Sequence, residues 1–181
     1  MTHGYARYMI RAGNKFAGAA LVVAAVAMGG SLAVAQQAKQ LGVHESWVAF
    51  AYETTKGKVC YIVSQPQDSE PKNVKRDEIY FMITHRPAQK VRNEVMTIIG
   101  YPFKKGSNVS AEVDASKYSM FTNGDGAWVE KSQTEDKIVT AMKRGAKLTV
   151  RGTSWRGTKT VDEYSLKGVT AALDQIGSEC K

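Results

Sequence analysis

Cys60 and Cys180 are the only cysteines in the sequence and its clearest candidates for chemistry. An even pair of cysteines in an exported chain is typical of a disulfide, whereas catalytic dithiols usually sit two residues apart. The bond would join residue 60 to residue 180 and enclose a long loop, which stabilises a fold by about 4–5 kcal/mol in the chain-entropy model. We therefore predict a structural disulfide here, with a redox-active pair as the alternative.

A basic segment from Lys137 to Lys167 is the second candidate. It holds eight Lys and Arg residues against two acidic ones, and Trp155 lies among them. Cations beside an exposed aromatic ring can bind an anionic lipid or saccharide through charge pairing and stacking. The alternative is an ordinary solvated surface with Trp155 in the core, because charge runs usually only solvate a face. The candidate surface for an anionic partner consists of Arg144, Lys147, Arg151, Trp155, Arg156 and Lys159.

Other patterns that would support catalysis or metal binding do not occur in the sequence. His44 and His85 lack the paired spacing that zinc sites show. Asn123-Gly124-Asp125-Gly126 supplies two oxygen ligands without the rest of a calcium loop and is interpreted as a turn. The sequence contains neither a Gly-x-Ser-x-Gly elbow nor a phosphate-cradling glycine loop. We predict no catalytic residue, no metal site and no cofactor.

The first 35 residues have the order of a cleavable signal peptide. Arg7, Arg11 and Lys15 precede an apolar run over residues 16–28, and Ala33-Val34-Ala35 suits a signal peptidase. The run is shorter than the roughly 20 residues that a transmembrane helix needs, although an uncleaved anchor is the alternative. We predict an exported protein of the periplasm or outer cell surface, with no transmembrane segment in its mature part and no nucleic-acid partner.

The remaining 146 of the 181 residues have a length typical of one domain. Three of the 25 basic residues and none of the 17 acidic ones precede residue 36, so the mature part carries a net charge of +5. This excess of positive charge favours anionic partners. We predict a flexible start over residues 36–45, because it lacks periodicity, and a single β-rich domain over residues 46–181.

The elements that must position the candidate residues are mostly strands. Residues 46–53 and 58–64 predict a hairpin around a turn at 54–57. Residues 65–77 are polar, contain two prolines and predict a long exposed loop. Further strands are predicted at 78–84, 94–101, 109–113, 118–121, 127–129, 147–151 and 160–166.

Two segments have helical patterns instead. Ser132-Gln133-Thr134-Glu135 has capping-box spacing, and Gly145 is placed to end a helix over residues 134–144. Residues 168–176 predict a final helical turn or two, with Val169, Ala172, Leu173 and Ile176 toward the core. The predicted fold is all-β, an antiparallel sandwich or barrel of eight to nine short strands, with one short helix near 134–144 and a short C-terminal helix.

A series of fragments follows Trp47 in a recognisable order and closes with Cys180. They are Val59-Cys60-Tyr61-Ile62, Asn73-Val74-Lys75-Arg76, Thr84-His85-Arg86-Pro87, Ala127-Trp128, residues 138–145, residues 152–158, residues 164–168 and Ala171-Ala172-Leu173. Through them the chain resembles the invasion-associated locus B family of alphaproteobacterial exported proteins. The resemblance implies a small envelope protein whose founding members are tied to host-cell invasion, and it implies the cysteine pair as a disulfide. It implies no reaction.

The function predicted from these observations is that of a non-enzymatic binding or adhesion module of the cell envelope. Its partner would be an anionic lipid, lipopolysaccharide, an acidic glycan, or a host or envelope protein. Two alternatives stay open: a periplasmic hydrolase or lyase with scattered catalytic residues, and a passive structural or stress-related protein. A concave pocket with perturbed titratable groups would favour the enzyme, and an exposed tryptophan near the basic segment would favour the binding module.

Overall fold

A computed structural model of the protein describes residues 37–181, so the predicted signal peptide over residues 1–35 lies outside the described residues. The described chain folds into eleven strands, one short 3-10 helix (Pro87–Gln89) and two α-helices. The strands are β1 (Lys39–His44), β2 (Trp47–Thr54), β3 (Gly57–Ser64), β4 (Asp68–Glu70), β5 (Tyr80–Arg86), β6 (Val91–Ile98), β7 (Asn108–Val113), β8 (Ser116–Asn123), β9 (Gly126–Trp128), β10 (Lys147–Thr153) and β11 (Lys159–Ser165). The helices are α1 (Ser132–Arg144) and α2 (Val169–Glu179).

All eleven strands form one antiparallel sheet in the order β1-β2-β3-β5-β6-β9-β8-β7-β10-β11-β4. Since β1 and β4 stand at its two edges, the sheet is not a closed barrel. It curls so that distant strands face each other. The Phe81 ring of β5 lies 5.8 Å from the Tyr164 ring of β11, and Trp47 Nε1 donates to the Ser165 carbonyl at 3.0 Å. The predicted all-β antiparallel fold with short helices is confirmed, and the barrel alternative is wrong.

The sheet contains two strands more than the nine predicted segments. Residues 36–45 were expected to be a flexible start, but residues 39–44 form the edge strand β1. This strand pairs with β2 around a bulge between Gln40 and Gly42. The bulge interrupts the alternation of inward and outward side chains, which is the pattern from which a strand is predicted. The Gln175 side-chain amide of α2 donates to the Leu41 carbonyl at 3.0 Å and holds the strand in place. The other additional strand, β4, lies inside the predicted loop over residues 65–77 and pairs with β11.

Both helices lie close to their predicted positions. Helix α1 begins at Ser132, but its N-cap residue is Lys131 and no side chain caps it, so the predicted capping box is wrong. The Glu135 carboxylate instead accepts a hydrogen bond from the Val95 amide of β6 at 3.1 Å. Gly145 follows the last turn, as predicted. Helix α2 is longer than predicted, and the four residues expected to face the core, at positions 169, 172, 173 and 176, are all buried.

The core lies between the inner face of the curled sheet and the two helices. Side chains alternate along the strands, so that Leu148 and Val150 of β10 point inward while Lys147 and Arg151 are exposed. The largest fully buried side chains include Trp47, Phe81, Ile138, Met142, Leu148 and Ile176, which come from both halves of the sheet and from both helices. One continuous core therefore joins the two halves.

A disulfide joins Cys60 of β3 to Cys180 beyond the end of α2, with a Cα–Cα distance of 6.0 Å. Both cysteines are buried. The predicted pairing is confirmed, and the bond fastens the end of the C-terminal helix to β3, the third strand from the β1 edge of the sheet.

Candidate ligand-binding site

A surface cavity of about 500 Å³ lies where the segment after β4 meets the connection between β10 and β11. A volume of this order suits a small ligand or a few units of a polymer. The cavity is lined by Asn73, Val74, Lys75, Arg76, Asp77, Gly100, Tyr101, Ser154, Trp155, Arg156, Thr158 and Thr160.

A buried ion pair anchors the floor of this cavity. Arg76 Nη1 and Nη2 donate to the two carboxylate oxygens of Asp162 at 2.7 and 2.6 Å, and Arg76 Nε donates to the Ile99 carbonyl at 3.0 Å. The guanidinium also lies 5.1 Å from the centre of the Tyr101 ring. The Tyr101 hydroxyl shares a hydrogen bond with Thr160 Oγ1, and burial raises the pKa of this phenol. The floor is thus a fixed, neutral and partly aromatic surface.

Gly100 allows the segment that carries Arg76 to reach this position. Its φ of +73° suits glycine, and a Cβ there would lie 2.3 Å from the Asp77 carbonyl oxygen. The Asp77 amide donates to the Gly100 carbonyl at 3.0 Å. This close backbone approach brings the loop and the sheet together along one side of the cavity.

The rim of the cavity is apolar and cationic. Trp155 is 59% exposed, and the Arg156 guanidinium lies 4.8 Å from the centre of its ring. Val74 is 37% exposed and Lys75 is also exposed. The alternative that placed Trp155 in the core is therefore wrong.

Backbone hydrogen bonds hold the tryptophan in place. The Trp155 amide donates to the Pro102 carbonyl at 2.9 Å, and the Ser154 amide donates to the Thr158 carbonyl at 2.9 Å. Gly157 has the positive φ, +86°, that closes this turn. The exposed ring is thus displayed on a tight turn whose backbone is tied to the neighbouring segment, which favours binding without a large ordering cost.

The charges of the lining residues favour an anionic ligand. Arg76 is neutralised by Asp162 from below, which leaves Lys75 and Arg156 as cations against the single carboxylate of Asp77. An exposed indole with a stacked guanidinium can bind the flat face of a sugar or an apolar group, while the cations bind carboxylate or phosphate. The arrangement is suited to binding an anionic molecule that also has an apolar face.

The structure does not bring the six predicted surface residues together. Lys147 Nζ lies 2.9 Å from Glu163 Oε1, and Arg151 Nε lies 3.4 Å from Glu112 Oε1, so both cations are paired on the outer face of the sheet. Lys159 is exposed on β11, and Arg144 lies at the end of α1 beside Tyr118 in a separate shallow depression. Of the six, only Trp155 and Arg156 line the cavity.

Sequence reasoning missed the other half of the site. Lys75, Arg76 and Tyr101 were not among the candidates, because Lys75 and Arg76 lie in a predicted exposed loop that otherwise served only as a fragment of the family resemblance, and Tyr101 lies in a predicted strand. A local signal was present, since two cations follow Asn73 and Val74 in a polar stretch. Nothing in that stretch identified the distant aspartate with which Arg76 would pair.

A second cavity of about 530 Å³ lies between β6 and the two helices, and His85 is part of its lining. His85 Nδ1 accepts a hydrogen bond from the Asn93 amide at 3.1 Å, and burial lowers the pKa of the imidazole. The charged groups in its walls offset one another, since Lys143 lies 3.4 Å from Asp174. This cavity therefore has no marked preference for an anion or a cation, but as a concave pocket with an imidazole of lowered pKa it meets the criterion given above for the enzyme alternative.

The described chain offers neither a metal-binding cluster nor a membrane-spanning helix. Within residues 37–181, no three His, Cys, Asp or Glu side chains are grouped so that they could hold a metal ion. Neither of the helices seen in that part of the chain is long and apolar enough to cross a membrane.

Comparison with known proteins identifies a family and a similar fold. The family model described as "Invasion associated locus B (IalB) protein" matches residues 47–177. The crystal structure of invasion associated protein B from Bartonella henselae is similar, with a TM-score of 0.53 and 14% sequence identity, and the alignment covers 77% of this chain and 98% of that one. At this identity the likeness shows the fold alone. A search of curated protein sequences finds no significant match.

Proposed function

Since the chain belongs to the IalB family of exported proteins, we propose that it is a non-enzymatic binding module of the bacterial cell envelope, in the periplasm or on the outer surface. The cavity between the segment after β4 and the β10–β11 connection is its binding site. One observation carries the proposal. The exposed Trp155 ring, with the Arg156 guanidinium stacked on it, and Lys75 line the same cavity, above a rigid floor.

The ligand that this site suits best is an anionic saccharide, as in lipopolysaccharide or an acidic glycan. Sugar rings present an apolar face that stacks on an indole, and their carboxylate or phosphate groups pair with Lys75 and Arg156. The Tyr101 ring and the Val74 side chain extend the apolar part of the surface. Host-cell contact, if the protein meets a host, would use the same chemistry on an acidic host glycan.

The test is binding of the protein, expressed as the full chain and recovered from the periplasm of the expression host. The probes are immobilised lipopolysaccharide and polygalacturonate, each measured at low and at physiological salt. Binding of the wild-type protein is expected to weaken as salt rises, because the contacts are charge pairs at the surface. The K75E/R156E variant is expected to bind at least tenfold more weakly at low salt, and W155A is expected to lose stacking affinity at both salt concentrations.

The matched control is K56E/K90E, which makes the same change in net charge. Lys56 lies in the turn between β2 and β3, and Lys90 precedes β6 at the end opposite Gly100; both are exposed. Its affinity is expected to stay within about twofold of the wild type. If K75E/R156E and K56E/K90E lost affinity equally, the loss would be due to net charge and not to the cavity. Absence of binding of the wild type to either probe at low salt would contradict the proposal. Shortening of the polygalacturonate chains would instead favour the hydrolase or lyase alternative.

A further inference from the structure

The second cavity, between β6 and the two helices, has a charged rim and an apolar floor. The rim carries four exposed charged side chains, which are Arg92 of β6, Asp136 and Lys143 of α1, and Asp174 of α2. Val139 and Leu173 also line the cavity, and both are buried. A concave space of about 530 Å³ with a few convergent polar groups over an apolar floor has the character of a small-molecule site.

Two of the four charges have no ionic partner. Within residues 37–181, no carboxylate oxygen lies within 4.0 Å of the Arg92 guanidinium, and no cationic nitrogen lies within 4.0 Å of the Asp136 carboxylate. Asp136 Oδ1 accepts a hydrogen bond only from the side-chain amide of Asn93, at 2.7 Å. A cation and an anion therefore line the same cavity without meeting.

Local contacts keep these two side chains apart. Asn93 stands beside Arg92 in β6 and holds the Asp136 carboxylate through its amide. Arg92 extends instead toward α2, where its Nη2 would lie 3.6 Å from a Cβ placed on Gly177. Glycine within a helix costs about 1 kcal/mol relative to alanine. At this position it leaves open the space beside the guanidinium.

The other two charges continue an alternation of sign around the rim. Lys143 Nζ lies 3.4 Å from Asp174 Oδ1, and because both side chains are exposed, this ion pair is weak. Asp174 lies three residues before Gly177, on the same side of α2, and hence close to Arg92. Lys143 lies seven residues after Asp136 on one face of α1. The sign of the charge thus changes at each step from Asp136 to Arg92, Asp174 and Lys143.

His85 lies in this cavity as a neutral ring without a free base. Burial lowers the pKa of its imidazole, and the charges of Arg92 and Lys143 lower it further. Nδ1 accepts the hydrogen bond of the Asn93 amide, so the proton of the neutral ring is on Nε2. Neither ring nitrogen is then left to accept a proton from a water molecule, which favours binding over hydrolysis here.

A ligand that carries one positive and one negative group satisfies both unpaired side chains at once. We propose that this cavity binds a free α-amino acid, with its carboxylate on Arg92, its ammonium on Asp136 and an apolar side chain against Val139 and Leu173. Charge-assisted hydrogen bonds to the two ends fix the orientation of such a ligand. A ligand with only one charge leaves either Arg92 or Asp136 unpaired. This site is separate from the cavity beside Trp155 and does not depend on the function proposed for it.

The test is isothermal titration calorimetry of the full chain, recovered from the periplasm and dialysed, with L-leucine as the probe. Leucine is expected to bind, and 4-methylpentanoate and 3-methylbutylamine are expected to bind at least about tenfold more weakly, because each keeps the apolar chain and only one of the two charges. R92Q and D136N are each expected to weaken leucine binding about tenfold. R144Q and E130Q make the same changes in net charge outside the cavity and are expected to leave the affinity within about twofold.

Gly177 offers a second pair of variants, which leaves every charge in place. G177A adds one methyl group at an ordinary contact distance from Arg92 and is expected to keep the affinity for leucine. G177L fills the space beside the guanidinium and is expected to weaken binding at least about tenfold. Both substitutions favour the helix, so both variants are expected to fold, which circular dichroism checks.

W155A changes the first cavity only and is expected to bind leucine like the wild type. No heat of binding with leucine up to about 10 mM would overturn the proposal. Equal affinity for the two analogues with one charge, or equal losses in R144Q and E130Q, would also overturn it, because neither result requires that one ligand bridge Arg92 and Asp136.

Discussion

Arg76 and Asp162 form a two-point ion pair beneath the cavity, although 86 residues separate them in the sequence. Their side chains are only 6% and 1% exposed. The pair fastens the segment after β4 to β11, while the same Arg76 supports the Tyr101 ring from below. The position of the binding cavity therefore depends on a contact that is itself shielded from the ligand.

Removing one partner of this pair is expected to be costly. R76M or D162L alone leaves a buried charge without its counterion, and each is expected to lower the free energy of unfolding by about 3–5 kcal/mol. The double variant R76M/D162L leaves no buried charge, so its loss is expected to be smaller than the sum of the two. Urea denaturation followed by tryptophan fluorescence measures all three. K75M, at the exposed neighbouring position, is the control and is expected to change stability by less than about 0.5 kcal/mol.

The Cys60–Cys180 bond closes a loop with a sequence separation of 120 residues. The C60A/C180A variant is expected to lose about 4–5 kcal/mol of unfolding free energy, because the unfolded chain regains the freedom of that loop. The measurement is urea denaturation of both proteins under oxidising conditions. Repeating it in the presence of a reductant is the control: reduction should bring the wild type to the stability of the variant. Equal stability of the oxidised proteins would contradict this expectation.

His85 is expected to make the fold less stable in mild acid. Burial lowers the pKa of its imidazole below the usual value of 6.5, and the nearby charges of Arg92 and Lys143 act in the same direction. Below pH 6.5 the unfolded chain therefore binds a proton that the folded chain does not, and stability falls until the pH reaches the folded-state pKa. Protonation of Nδ1 would also remove the acceptor of the Asn93 amide.

The measurement is the free energy of unfolding of the wild type and of H85Q between pH 7.5 and 5. The difference in unfolding free energy between the wild type and H85Q is expected to shrink as the pH falls. Only the wild type has an imidazole at this position whose protonation favours the unfolded chain. Other titrating groups contribute equally to the pH dependence of both proteins and therefore drop out of the difference. Glu135, whose pKa is raised by burial, is one of them. Parallel curves for the two proteins would show that His85 does not contribute.

The sequence predicted those elements whose pattern is local. Alternation of Val48, Phe50 and Tyr52 placed β2 correctly, and the turn before Gly57 marked the hairpin to β3. Helix α2 was predicted from the spacing of its four apolar residues, all of which are buried. The disulfide was predicted from the number of cysteines and the expected compartment, since neither argument needs a three-dimensional contact.

The parts that could not be predicted depend on contacts between distant segments. Glu112 reaches Arg151, and Glu163 reaches Lys147, through the pairing of strands, so part of the basic run in the sequence is neutralised in the fold. Edge strand β1 is held by Gln175, 134 residues from Leu41. The cavity likewise arises where two segments meet, and neither of them has the composition of a site by itself.

The position of Cys180 has a consequence for the order of events in folding. It follows every strand and both helices of the described chain, whereas Cys60 lies in the third strand. During synthesis from the N-terminus, Cys60 has no partner until all eleven strands of the described chain have been made. The bond can therefore form only after every strand of the described sheet has been synthesised. Until then the Cys60 thiol is unpaired, and its burial in the sheet between β2 and β5 separates it from other thiols.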